Sequence, residues 1–139
     1  MAVRIVSRQP LTKGWSTDQK YKVELEDGRF GLLRIAERSA IEVKKVEFQL
    51  VENLFGLGLP VAEPLSCWAD DLSVYTLYEW VEGQDMNEVA SDLQDSVLYE
   101  LGCQAGKFLR ALHGLPIDQS LRDWNSFYQA KIDSKLAAY

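Results

Sequence analysis

The 139-residue sequence predicts an α+β fold, in which an antiparallel sheet of about five strands with one packed helix precedes a group of helices. Two observations predict this order. Up to Glu79, short runs rich in β-branched and aromatic residues alternate with turn residues. Beyond Glu82-Gly83-Gln84, the apolar period changes from 2 to 3.6 residues. The composition, 47% hydrophobic and 26% charged, predicts an ordinary globular core.

The strands follow from alternation and turn chemistry. Short runs of apolar and β-branched residues lie at residues 3–9 and 11–15, and further strands are predicted at residues 21–26, 30–35, 64–69 and 73–79. Pro10 separates the first two runs. Asp27-Gly28 marks a tight hairpin turn, and Asp70-Asp71 lies between the last two runs. The first part of the chain is therefore predicted to be a sheet of antiparallel hairpins.

Three helices follow from apolar residues at three- and four-residue steps. The helix predicted at residues 39–55 has a stripe of Val43, Val46, Leu50, Val51 and Leu54. The second helix carries Leu93, Val97, Leu101, Phe108 and Leu112 and ends at His113-Gly114. The third begins near Ser120 and carries Leu121, Trp124, Tyr128 and Ile132. We predict two domains, residues 1–82 and 83–139, divided at the glycine-containing break.

Charge is segregated along the chain. Ten basic residues lie within residues 1–45 and five within 107–139, whereas residues 46–106 contain none and have twelve acidic residues. The formal net charge of −6 disfavours nucleic-acid binding through a basic surface and attachment to an acidic membrane. The acidic middle segment is typical either of a surface for a cationic ligand or of a solvated face, and both interpretations stay open.

The sequence gives no sign of a metal centre or of export. Cys67 and Cys103 are far apart, and neither belongs to a C-x-x-C pair. The first residues contain no signal-like apolar run, and no segment approaches about twenty apolar residues. We therefore expect a cytoplasmic protein that does not enter a membrane.

Two charged residues lie in apolar surroundings. Glu47 falls within the predicted stripe of the first helix, and Arg34 interrupts the strand run Leu32-Leu33-Arg34-Ile35. Because a carboxylate in such a position needs a cationic partner, we predict an ion pair between Arg34 and Glu47. In kinases a strand cation held by a helix glutamate positions nucleotide phosphates. A structural pair that only docks the helix on the sheet is the alternative.

The polar loop at residues 13–18 precedes the strand pair whose second member carries Arg34. Its single glycine, Gly14, makes a weak phosphate-binding motif, and an ordinary hairpin loop is the alternative. Its position favours contacts with phosphate oxygens through backbone N–H groups and through the hydroxyls of Ser16 and Thr17.

The order of these motifs resembles the aminoglycoside phosphotransferase family of kinase-like enzymes. The motifs are, in order, K-G-W-S-T-D, L-L-R-I, K-K-V-E-F, G-L-G-L-P-V-A-E-P, Y-E-W-V-E-G-Q-D and L-G-C-Q-A-G-K-F-L-R-A-L-H. The resemblance covers essentially the whole chain, but only the N-terminal half of such an enzyme. It implies a protein-kinase-like N-lobe followed by helices of an incomplete C-lobe.

The resemblance also implies a site for ATP or GTP. Gly14, Ser16 and Thr17 would belong to the nucleotide loop, with Arg34 as the phosphate-binding cation and Glu47 as its partner. The carbonyl of Glu79 and the N–H of Val81 would contact the base edge. In much of the family the strand cation is a lysine, so arginine is a variant of that pattern.

The family's catalytic loop, H-G-D-x-x-x-x-N, and its further metal-binding Asp are not found in this sequence. The single histidine, His113, stands in H-G-L-P and is expected to end a helix. We therefore predict no catalytic and no metal-binding residue, and Mg²⁺ would belong to the complete enzyme.

Two functions remain open at this stage. The first is the nucleotide-binding part of a kinase that transfers a γ-phosphoryl group to a hydroxyl of an aminoglycoside or similar compound, the chemistry of antibiotic resistance. The second is a naturally short, non-catalytic binding module derived from this lobe. Truncation would leave apolar helix faces uncovered, which predicts self-association.

Overall fold

The computed structural model describes residues 3–14, 16–115 and 124–137. Within these ranges, five strands form one antiparallel sheet in the order β1-β2-β3-β5-β4. The strands are β1 (Ile5–Leu11), β2 (Gln19–Leu25), β3 (Phe30–Glu37), β4 (Pro64–Ala69) and β5 (Ser73–Glu79). The helices are α1 (Ile41–Gly56), α2 (Met86–Val89), α3 (Asp95–His113) and α4 (Trp124–Leu136). The predicted α+β class is confirmed.

The first strand differs from its prediction. β1 runs continuously through Pro10, where the sequence indicated two separate runs. Proline is tolerated here because β1 lies at the edge of the sheet and pairs only with β2, so the missing N–H interrupts no second ladder. The predicted turn after β2 is confirmed, with Gly28 at a φ of +82°.

One cluster of the hydrophobic core lies on one face of the sheet. Val23, Leu33 and Leu77 are almost completely buried there, and Leu33 pairs directly with Leu77 across β3 and β5. Strand residues alternate between faces, so the neighbours of these residues along each strand point to the opposite face. That opposite face carries Arg34, which stands between Lys20 of β2 and Thr76 of β5 in the strand register.

Helix α1 packs on the face of the sheet that carries Arg34. The ring of Phe48 lies 5.5 Å, centroid to centroid, from the ring of Tyr78, two residues along β5 from Thr76. The buried residues of α1 are Lys44, Phe48 and Leu54. This arrangement places the buried ammonium of Lys44 against the polar part of the sheet.

The stripe predicted for this helix is wrong for three of its members. Val43, Val46 and Leu50 are 58%, 64% and 52% exposed. The helix has apolar residues on two faces, and a count of helical spacing does not decide which one the sheet covers. The sheet covers the face with the aromatic ring of Phe48, which has more apolar area to bury.

By compactness the chain divides into two units, residues 1–104 and 105–139, with the boundary inside α3. The division that we predict after residue 82 is based on the expected end of the nucleotide-binding lobe and not on compactness. It stays a prediction. In the second unit, the predicted helix start near Ser120 and the stripe residue Leu121 lie outside the described residues. Among the described helices, none has the length and apolar character needed to cross a membrane.

Candidate functional site

Arg34 is held in the middle of the sheet. β3 pairs with β2 on one side and β5 on the other, so hydrogen-bonded ladders fix the backbone of Arg34 from both sides. Its guanidinium Nη2 lies 2.5 Å from Oδ2 of Asp18, the last residue of the loop before β2. The Arg34 side chain remains 27% exposed, so it is not sealed off from solvent.

Lys44 extends this contact into a chain of charges. Its Nζ lies 3.0 Å from the same Oδ2 of Asp18 and 3.0 Å from Oε2 of Glu47, one helical turn further along α1. The Lys44 side chain is only 11% exposed. The four groups Arg34, Asp18, Lys44 and Glu47, which we call the charge network, therefore alternate in sign.

The predicted direct ion pair between Arg34 and Glu47 is wrong. Within the described part of the chain, Arg34 pairs with Asp18 and Glu47 pairs with Lys44. The reason is that the sheet covers the face of α1 that contains Lys44 and Phe48. Lys44 therefore points toward the sheet, and its ammonium lies between the two carboxylates. Arg34 and Glu47 are thus brought into one network, but through Asp18 and Lys44.

Asp18 holds its charge because of its two cationic neighbours. Burial alone would raise the pKa of the Asp18 carboxyl, but the hydrogen bonds and charges of Lys44 and Arg34 outweigh burial and hold the pKa below its ordinary value. The carboxylate is therefore ionised at neutral pH. Its charge, together with that of Glu47, balances the two cations.

The loop before β2 is held by a second lysine. Nζ of Lys20 donates hydrogen bonds to the carbonyl oxygens of Lys13, at 3.3 Å, and of Ser16, at 3.4 Å. Gly14 has a φ of +110°, and a Cβ at this position would lie 2.8 Å from Nζ of Lys20. The positive φ is the reason that favours glycine here, because the end of the Lys20 side chain could move aside for a Cβ. Because Lys20 stands opposite Arg34 in the register, it ties the loop to the Arg34 face.

Thr17 continues from this loop toward the start of α1. Together with Asp18 it lines an open cavity of about 340 Å³, whose other walls include Ser39 and Ala40. Of the predicted loop residues, the structure thus places Gly14 and Ser16 at Lys20 and Thr17 beside the charge network.

The two predicted backbone contacts to a base lie at the end of β5, at Glu79, and just beyond it, at Val81. The N–H of Glu79 donates to the carbonyl oxygen of Glu63 at 2.8 Å, and the N–H of Trp80 donates to that of Phe30 at 3.0 Å. Val81 is 66% exposed, and its backbone N–H donates no hydrogen bond among the described residues. Glu79 and Val81 lie further along the chain than Thr76, the residue opposite Arg34.

Lys22 braces this segment. Its Nζ lies 4.5 Å from the ring centroid of Trp80, 4.8 Å from that of Phe30 and 3.2 Å from Oε1 of Glu82. Lys22 and Lys20 are two residues apart on β2 and share the face of Arg34.

Sequence reasoning missed four residues of this region: Asp18, Lys20, Lys22 and Lys44. Strand alternation from Arg34 could have found Lys20 and Lys22, because the register pairs Lys20 with Arg34. Helical spacing from Phe48 could have found Lys44. Asp18 carries no comparable signal, since it ends an irregular loop.

The remaining predictions on catalysis concern α3 and metals. α3 ends at His113, as predicted for a histidine before a turn. No group of three or more His, Cys, Asp and Glu side chains is placed to hold a metal ion in the described ranges.

The comparisons with known proteins agree on a kinase-like chain. The sequence model of a protein family described as the phosphotransferase enzyme family (APH) matches residues 7–139. The crystal structure of Rad53 1–466 in complex with AMP-PNP is similar with a TM-score of 0.62 and 17% sequence identity, over 80% of this chain and 30% of that one. The chain thus spans less than a third of that protein, and the likeness confirms the predicted kinase-like N-lobe as a fold. No curated protein is significantly similar in sequence.

Proposed function

We propose that this chain, which belongs to the phosphotransferase enzyme family, is the nucleotide-binding part of a small-molecule kinase. The complete enzyme would transfer the γ-phosphoryl group of ATP or GTP to a hydroxyl of an aminoglycoside or a similar compound. The observation that carries the proposal is the partly exposed side chain of Arg34, fixed in the central strand beside a lysine-held loop.

Phosphate binding is the role that the chemistry of Arg34 supports. A guanidinium presents several N–H donors in a plane and stays charged at every physiological pH, so it suits phosphate oxygens. Kinase sites rely on such positioned charges because the protein contributes little covalent chemistry to phosphoryl transfer. The backbone N–H groups near Gly14 and the hydroxyls of Ser16 and Thr17 would supply further donors.

Base binding is supported by the exposed position of Val81 just beyond the end of β5. A purine edge needs one donor and one acceptor at fixed positions, and main-chain groups supply both without depending on side chains. In the proposed site the N–H of Val81 is the donor and the carbonyl of Glu79 is the acceptor. The contacts of Lys22 with Trp80 and Glu82 would keep this segment in place.

The proposed activity of the chain alone is binding without turnover. The H-G-D-x-x-x-x-N loop that orients the acceptor hydroxyl in related enzymes is not part of this sequence. Mg²⁺, when bound in the complete enzyme, would neutralise charge on the phosphates, and its ligands would come from outside these residues. We therefore expect weak nucleotide binding and no phosphoryl transfer.

The test is a titration of the 139-residue chain with ATP and with GTP, with and without Mg²⁺, followed by amide chemical shifts so that weak affinities are measured. Arg34→Ala should abolish binding. Arg38→Ala, which removes an exposed arginine outside the charge network, should not. Absence of binding by the wild-type chain would contradict the proposal and favour the non-catalytic binding module.

A further inference from the structure

Asp18 lies in the position that an external anion would take between two cations. Nη2 of Arg34 and Nζ of Lys44 both contact one carboxylate oxygen, Oδ2, at 2.5 and 3.0 Å. The Asp18 side chain is 7% exposed, so the two cations meet it out of bulk water. A guanidinium and an ammonium are also the two side-chain cations that commonly bind phosphate oxygens.

The charges of the network would allow another anion to replace the Asp18 carboxylate. With Asp18 in place, two cations face two carboxylates, Asp18 and Glu47. If Asp18 moved away, Arg34 and Lys44 would keep only Glu47, and the excess positive charge would attract another anion strongly because the surroundings are poor in water. Access is possible from the side of Arg34, the more exposed of the two cations.

Asp18 is also attached to a part of the chain that can rearrange. It ends the loop between β1 and β2 and is not part of either strand. The loop is held by side-chain contacts, namely hydrogen bonds from Lys20 to two carbonyl oxygens and ion pairs of Lys13 with Glu88 and Asp85, and not by a ladder of its own. Arg34 and Lys44, in contrast, belong to a central strand and a long helix. An incoming anion would therefore displace the carboxylate and leave the cations in place.

We propose that Arg34 and Lys44 together form a two-cation site for the phosphate oxygens of a nucleotide, and that Asp18 occupies this site in the free protein as an internal competitor. This inference rests on the proposed function and adds to it a second phosphate-binding residue, Lys44, and a built-in inhibitor of binding, Asp18. The ligand class is a polyphosphate, and the probes are ATP and inorganic tripolyphosphate.

The test compares two variants with matched controls. Asp18→Asn removes the competing charge and should tighten binding of both probes about tenfold, whereas Lys44→Met should weaken it about tenfold. Asp71→Asn and Lys45→Met make the same changes of charge at exposed positions outside the network and should change affinity by less than about twofold.

Three results would overturn the inference. In the first, Asp18→Asn binds the probes with the same affinity as Asp71→Asn. In the second, Asp18→Asn binds them more weakly than the wild type does. In the third, Lys44→Met binds them with the same affinity as Lys45→Met. If any of these occurs while Arg34→Ala still abolishes ATP binding, this inference fails and the proposed function stands. If neither the wild type nor Asp18→Asn binds ATP, the proposed function itself fails.

The wild-type chain provides a measurement that does not depend on the stability of a variant. Displacement of Asp18 from its two cations should shift the resonance of its carboxyl carbon during a titration with ATP, with the same dissociation constant as the amide shifts. A carboxyl resonance of Asp18 that stays unchanged at saturation would show that the carboxylate is not displaced, and would overturn the inference.

Discussion

Asp18 is the residue on which the balance of charge in the site depends. Its pKa is held below the ordinary value by Lys44 and Arg34 against the opposing effect of burial. A carboxyl with a lowered pKa in the folded state stabilises the protein above its unfolded pKa, about 3.9, and this stabilisation is lost as the pH falls through the folded pKa. The stability of the fold should therefore decrease on acidification below about pH 4.

Asp18→Asn tests this dependence. At pH 7 the variant should lose about 1 to 2 kcal/mol of unfolding free energy, because Arg34 and Lys44 lose the charge of Asp18 and only the carboxylate of Glu47 remains in the network. The difference from the wild type should narrow toward pH 3, since the wild type loses its own Asp18 charge there. Urea unfolding at several pH values measures both effects.

The control for this series is Asp71→Asn, at an exposed position in the turn between β4 and β5. The pKa of the neighbouring Asp70 is also lowered, by a hydrogen bond from the hydroxyl of Tyr75 and by the N–H groups of Leu72 and Ser73, and this contribution remains in both variants. A difference between Asp18→Asn and wild type that does not vary with pH would contradict the role assigned to the Asp18 charge.

At this scale the sequence predicts charged residues only where their surroundings are regular. Arg34 is recognisable because it interrupts an apolar strand, and Glu47 because it lies on a periodic helix. Asp18 ends an irregular loop, so its position depends on tertiary contacts that no local pattern encodes. The partner of Arg34 was missed for this physical reason.

Among the elements, strands β3 and β5 leave no free space for a side chain at Gly31. A Cβ added there would lie 2.9 Å from Cδ1 of Leu77 and 3.0 Å from the carbonyl oxygen of Tyr78. Because backbone cannot give way as a side chain end can, Gly31→Ala should cost about 1 to 3 kcal/mol of unfolding free energy. Chemical denaturation of the purified variant measures this loss.

Gly56→Ala is the matched control for this substitution. Gly56 ends α1, and a Cβ there would meet no heavy atom within 4 Å. The control should be neutral or slightly stabilising, because alanine restricts the unfolded chain more than glycine does. Equal stabilities of the two variants would show that β3 and β5 are not packed as described.

The elements themselves were largely predictable, but their orientation was not. The β4–β5 hairpin matches its predicted bounds because period-two alternation and the Asp70-Asp71 turn agree on them. The face of α1 was assigned wrongly because the helix has two apolar faces, and only the sheet decides between them. The contact between the rings of Phe48 and Tyr78 is a tertiary contact that the spacing of apolar residues along the helix does not predict.

For the whole molecule, we expect self-association through apolar helix faces. On α1 the side chains of Val46 and Leu50 are more than half exposed, and on α3 Val97 and Leu101 are 42% and 37% exposed. Adjacent exposed apolar side chains on one helix favour association because burying them removes apolar surface from water. Light scattering over a range of protein concentrations should show a rising average mass.

Two double variants locate the association. Val46→Lys with Leu50→Lys changes α1, and Val97→Lys with Leu101→Lys changes α3. At least one of them should restore a constant monomer mass, because a charged side chain opposes burial. A wild-type chain that stays strictly monomeric at high concentration would contradict this prediction.

The central claim is that the charge network is the phosphate site of a nucleotide-binding lobe, and a crystal structure of the chain with a non-hydrolysable ATP analogue tests it most directly. We expect phosphate oxygens within hydrogen-bond distance of the Arg34 guanidinium and a base edge at the backbone of Glu79 and Val81. An analogue bound elsewhere on the molecule, with its phosphates away from Arg34, would contradict the claim.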